Sequence, residues 1–158
     1  MVLRQSLLLL HLMGMMLLVA GVGASIACKA AALRSSSPQV IHELLRTASR
    51  SVRLLSMPGS YLLLLAGLGL VYRSHGWYSM SDAWIVGAIV AWLASAAVGI
   101  WLHAPRSRTA RALASSLAAD GAPASAELRD LIRGGRLASA LDFALLLTMV
   151  TLMVFKPG

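Results

Sequence analysis

Four long apolar stretches, at residues 7–28, 54–72, 83–102 and 137–155, run through a chain of 158 residues. A helix crossing the hydrocarbon core of a bilayer needs roughly 20 mainly apolar residues. The first three stretches hold no Asp, Glu, Lys or Arg, and the fourth holds only Asp142. Runs of this length and purity read as transmembrane helices, not as core helices of a soluble domain. The expected fold is therefore all-α: a four-helix transmembrane bundle that makes residues 1–158 one integral membrane domain.

Composition points the same way. Hydrophobic residues make up 58% of the chain and charged residues 13%, against about 25% charged in a soluble domain. The net charge of +8 comes from 14 Lys and Arg against 6 Asp and Glu. The cations lie between apolar runs and not on a soluble face, so the expected partner is a bilayer with anionic headgroups and not nucleic acid. Cys28 is the lone cysteine, which excludes an internal disulfide.

The distribution of Lys and Arg predicts the orientation. Lys29, Arg34, Arg46, Arg50 and Arg53 fall in the connection 29–53, and Arg106, Arg108, Arg111, Arg129, Arg133 and Arg136 in the connection 103–136. The middle connection holds only Arg73, and the two tails hold Arg4 and Lys156. Both basic connections should be cytoplasmic and both termini outward, in a multi-pass protein of a bacterial inner membrane. Residues 1–28 are expected to remain as a span: basic residues directly after Cys28 oppose export, and the apolar run exceeds a usual signal core.

The basic connections are themselves helical. Ser37 and Pro38 form a helix start, followed by an apolar face of Val40, Ile41, Leu44, Leu45, Ala48, Val52 and Leu55. Residues 38–53 thus extend the second span as an amphipathic helix, with Arg46, Arg50 and Arg53 toward the lipid surface. Residues 106–119 continue the third helix and carry Arg106, Arg108 and Arg111. Asp120-Gly121-Ala122-Pro123 is a turn, Ser125 caps the next helix, and Gly134-Gly135 is a weak point where a kink is expected.

In lipid, small residues let helices approach closely. Gly87, Ala91, Ser95 and Gly99 recur at every fourth position of the third span, which predicts a packing stripe and a central place for that helix. Gly14, Gly21 and Ser25 form a shorter version in the first span, and Ala66, Gly67 and Gly69 one in the second.

Few residues could carry chemistry. His11 lies about one and a half turns inside the first span, where an ionisable group usually faces the bundle interior; a neutral imidazole there could bind haem iron or hydrogen-bond a neighbouring helix. Met13, Met15 and Met16 surround it, and thioethers suit Cu(I), but packing is the commoner use of Met. Asp142 is an intramembrane acid near the cytoplasmic end of the fourth span, with His103 or the Arg cluster as expected partners. Trp77, Tyr78, Trp84 and Trp101 sit at interfacial positions. No catalytic set, metal-ligand cluster or phosphate-binding Gly loop is present in the sequence.

Taken in order, these residues resemble a family of small predicted integral membrane proteins of unknown function, itself similar to the CopD and HemJ four-helix membrane proteins. Leu10-His11-Leu12-Met13-Gly14 resembles the family's opening Leu-His-x-x-Gly. Pro58, Gly67 and Trp77 or Trp84 match through the second and third spans, and Met153-Val154-Phe155-Lys156-Pro157 matches the terminal Lys-Pro. The resemblance to HemJ-type proteins, which use haem, implies that His11 is an axial ligand of haem b. Two features depart from the HemJ pattern: the Trp-x-Gly-Gly that commonly follows is here Leu18-Val19-Ala20-Gly21, and the third-span Lys of the HemJ oxidases has no counterpart, so the resemblance does not carry that activity over and leaves haem binding open. Two functional readings follow: a non-catalytic module that assembles with itself or with a larger membrane complex, and a b-type haem protein built on His11.

Overall fold

The computed structural model of the chain describes residues 2–74 and 77–155. Four long helices account for nearly all of them: α1 (Val2–Arg34), α2 (Pro38–Tyr72), α3 (Ala83–Ala119) and α4 (Ala126–Phe155), each apolar and long enough to cross a membrane. Strands are absent among the described residues. The closing Lys156-Pro157 pair lies outside the described residues.

With 30 to 37 residues apiece, the helices are about 45–55 Å long, against a hydrocarbon core of about 30 Å. The surplus lies at one end. There the connections are short, α1 runs on to Arg34, and both basic segments are continuous extensions of α2 and α3 rather than separate surface helices. We call this the basic end; the termini and the α2–α3 turn mark the opposite, open end.

Local chemistry explains the helix ends. Pro38 opens α2, where its missing N–H costs nothing. Ser37 occupies the cap position with an extended backbone but does not cap through its side chain; its hydroxyl donates to Gln39 Oε1 at 3.2 Å instead. Ser125 does cap α4, accepting from the Leu128 N–H at 3.2 Å. Gly121 takes φ 63° in the α3–α4 turn, a conformation that favours glycine. Helix α4 passes Gly134 and Gly135 unbroken. Departures from α geometry fall elsewhere, in π turns at Val52–Ser56 of α2 and Val98–His103 of α3. Each stands just before a proline, Pro58 or Pro105. A proline removes one hydrogen bond and crowds the preceding turn, and a widened turn absorbs both effects.

At the basic end all four helices close around Ala32, Ile41, Leu45, Ala110, Ala114, Leu128 and Ile132. Ile41 and Leu128 are fully buried. In the membrane half the bundle resolves into two pairs, α1 with α2 and α3 with α4. Glycine sets the first pair. A Cβ on Gly14 would lie 2.6 Å from the Leu63 nitrogen, and one on Gly59 2.7 Å from the Leu18 nitrogen.

The third span is not central, contrary to the sequence expectation: residues 83–97 bring their backbone close to α4 alone among the other helices. Its stripe is used there. Gly87 faces Leu152, Ala91 is buried, and Ser95 bonds to Asp142, whereas Gly99 has nothing within 4 Å of its Cβ position. The tighter approach lies in the first pair, because Gly14 meets a second glycine, Gly59, across the contact.

Candidate functional site

The two pairs stand apart at the open end and enclose a cavity of about 790 Å³. Its walls are mostly apolar: Leu8 from α1, Leu63 and Leu64 from α2, Ile85 and Ile89 from α3, Met149 and Met153 from α4. Four aromatic residues, Trp77, Tyr78, Trp84 and Trp92, line it as well, and Arg4 and Arg73 lie near its mouth. Tyr78 and Trp84 meet edge to face with centroids 5.4 Å apart. Trp92 Nε1 donates to Ser60 Oγ at 2.7 Å, tying α3 to α2 beside the cavity, and packs edge-on against Tyr61. A space of this size falls within the range of about 300–1,000 Å³ typical of small-molecule and cofactor sites.

His11 is one of the polar groups in that wall. Its Nδ1 lies 2.9 Å from the Leu63 carbonyl oxygen. A carbonyl only accepts, so Nδ1 carries the proton and, in the neutral ring, the lone pair is on Nε2. The ring rests against Gly67, whose Cβ position is 3.1 Å from His11 Cε1. Gly67 thus leaves room for the imidazole, and the α2 backbone fixes its tautomer. Of the methionines around His11, Met13 and Met16 point outward, with exposures of 45% and 73%. The methionines that do line the cavity, Met149 and Met153, come from the far helix. No cluster of three or more His, Cys, Asp or Glu able to hold a metal occurs among the described residues.

Deeper in the bundle, toward the basic end, a second group of polar side chains converges. Asp142 accepts a hydrogen bond from Ser95 Oγ, and it acts electrostatically on Lys29 and His103. Sequence reasoning named His103 as a partner but missed both Ser95 in that role and Lys29. Lys29 is only 7% exposed, and its Nζ donates to Ser139 Oγ at 3.2 Å. A signal for it existed: Gly14, Gly21 and Ser25 all lie on the buried face of α1, and four residues further along that face stands Lys29. Asp142 and His11 belong to opposite ends, as expected.

The remaining basic residues are peripheral. Arg50 and Arg53 are exposed. Arg46 pairs with Glu43 at 3.4 Å on an exposed surface, a contact of about 0–1 kcal/mol. Arg46, Arg108 and Arg111 border a shallow cleft with His42, whose Nδ1 donates to the Arg111 carbonyl at 3.2 Å. Arg106 donates to the Leu102 carbonyl and lies along α4 at Gly134. Trp77 and Trp101 are exposed, at 86% and 75%, as aromatic side chains at a bilayer interface would be.

Four apolar spans, an apolar exterior and polar groups gathered inside define a polytopic integral membrane protein. The family model described as "Predicted integral membrane protein (DUF2269)" matches residues 5–157, and the chain belongs to that family. Neither the comparison with curated proteins nor that with solved structures finds a match.

Proposed function

We propose that this protein binds haem b in the open-end cavity, with His11 as an axial ligand. The observation that carries the reading is the His11 ring itself: Nδ1 anchored on the Leu63 carbonyl at 2.9 Å, Nε2 bearing the lone pair, in the wall of a large apolar cavity. Anchoring one ring nitrogen on a carbonyl is how a metal-ligating histidine is commonly oriented. The other demands of haem have matching residues. Apolar and aromatic walls suit the macrocycle, Arg4 and Arg73 supply cations for the propionates, and Met149 or Met153 offers a thioether from the far wall. Bound haem would supply one-electron chemistry; the chain's own contribution is to orient His11, exclude water and hold the two carboxylates. Leu10-His11-Leu12-Met13-Gly14 resembles the opening Leu-His-x-x-Gly of a family that is itself similar to the haem-using HemJ-type proteins, which supports the same reading. By the positive-inside rule the basic end is cytoplasmic and both termini face outward, the arrangement we propose for a bacterial inner membrane.

The test is the absorption spectrum of detergent-purified protein from haem-replete cells, oxidised and dithionite-reduced, beside His11→Ala. A Soret band lost in the variant is expected; wild-type protein without pigment overturns the proposal. A second reading, a non-catalytic accessory module, draws on Gly23 and Gly99, whose Cβ positions meet nothing within 4 Å and leave room for a partner helix or a second copy. Co-purification of a stoichiometric subunit, lost in Gly99→Leu, would favour that reading.

A further inference from the structure

The polar group beneath the cavity plays no part in the haem reading. Lys29 comes from α1, Ser95 and His103 from α3, and Ser139 and Asp142 from α4. Ser139 accepts from Lys29 and donates its own hydroxyl to the Gly135 carbonyl at 2.9 Å. His103 is half-buried, lies beside the backbone of Ala138 and has Arg106 as the next charged neighbour toward the basic end. From α2 no titratable group acts on Lys29 or His103. Placing a buried lysine near a half-buried carboxylate inside a bundle is a poor way to stabilise it, since apolar residues of similar volume often do as well or better. Within a membrane such residues are rare and usually mark a path for ions or protons.

Position gives this group a direction. Ser95 lies less than one turn below Trp92, which lines the cavity, and Asp142 two turns below Met149, which also lines it. At the other side His103 reaches the level where Arg106 begins the basic extension. The polar group thus lies directly below the cavity, separated from it by less than one turn along α3 and by two turns along α4.

We propose that His103, Asp142 and Lys29 form a proton-exchange site linking the basic end to the floor of the open-end cavity. A proton taken up by the His103 ring passes to the Asp142 carboxylate, which becomes the neutral acid. Once protonated, Asp142 becomes the donor and the Ser95 hydroxyl turns away from it; Ser95 gains the Asp142 proton as it gives its own to a water molecule at the cavity floor, which restores the carboxylate. One proton enters and one leaves, and no bond to another atom changes. Lys29 offsets the Asp142 charge between transfers.

The experiment uses the full chain in phosphatidylglycerol-containing liposomes with pyranine inside, under a potassium diffusion potential set by valinomycin. Wild-type vesicles should acidify at least about tenfold faster than empty ones, as expected for ionisable groups that line a proton path. Asp142→Asn and Lys29→Met should each fall to the empty-vesicle rate, and Lys29→Arg should keep most of the flux. Equal flux in wild-type and empty vesicles overturns the proposal, as does full flux in Asp142→Asn. If Asp142→Asn fails to elute as a monodisperse species, His103→Gln is read in its place against the same criteria. Haem is read by the Soret band and this site by pyranine, so either proposal can fail while the other stands.

Discussion

The two ends of this molecule use the same four helices and hold them together by different physics. At the basic end, beyond the hydrocarbon, side chains leave water on packing, and Ile41 and Leu128 are sealed in a core where all four helices meet. At the open end the surroundings are as apolar as the side chains, so burial yields little and close packing must come from glycine contacts. Such contacts hold α1 to α2, and small residues also seat α3 on α4. Between the two pairs a space of about 790 Å³ persists. An empty cavity that size sealed in a water-driven core would cost well over about 10 kcal/mol; here the basic end supplies the cohesion and the membrane half is free to keep a chamber.

Substitutions can break this contrast. The largest effect should come from Gly14→Leu, since a Cβ there would stand 2.6 Å from the Leu63 nitrogen and backbone cannot yield as a side-chain tip can. A loss of about 4 kcal/mol or more is expected, seen as failure to recover monodisperse protein from detergent. Recovery at the wild-type yield and melting point would mean that α1 and α2 are not held by that contact. Next is Leu128→Ala in the basic-end core, expected to cost about 2–5 kcal/mol in equilibrium unfolding in mixed micelles. Trp92→Phe, which removes the donor to Ser60 Oγ, should cost about 1 kcal/mol and loosen α3 from α2 beside the cavity. Met153→Ala should cost least, under about 1 kcal/mol, because it enlarges a space that already exists rather than opening one in a packed core. If Met153→Ala proved as costly as Leu128→Ala, the open end would be as tightly packed as the basic end and the contrast would be lost.

What sequence reasoning captured and what it missed divide along the same line. The spans were legible because a bilayer demands length and apolarity, and both are written residue by residue. The helical extensions were legible from Pro38 and from the spacing of Ile41, Leu45 and Ala48, all buried at the basic end. The cavity was not, because a space between helix pairs leaves no periodic mark; only His11 signalled that something polar faced inward there. Lys29 was hidden by its charge, which placed it with the basic connection although it continues the buried face of Ser25. The centrality of the third span was overestimated because Gly87, Ala91, Ser95 and Gly99 make the more regular stripe. The closest approach depends instead on Gly14 and Gly59 opposing one another, a pairing that no single helix displays.

The π turns at Val52–Ser56 and Val98–His103 have a further effect. Each takes up one residue more than an α turn, so the angular phase of the helix slips by about 100° on passing it. In α2 the face that seals the basic-end core with Ile41 and Leu45 is therefore out of phase with the face that carries Gly59 and Leu63 against α1. The two halves of α2 and of α3 are in effect separate reading frames spliced in mid-helix. Forcing the full sequence through either splice as regular α-helix would turn one half of the protein away from its partners, whereas deleting the one extra residue would straighten the helix and leave both faces where they are.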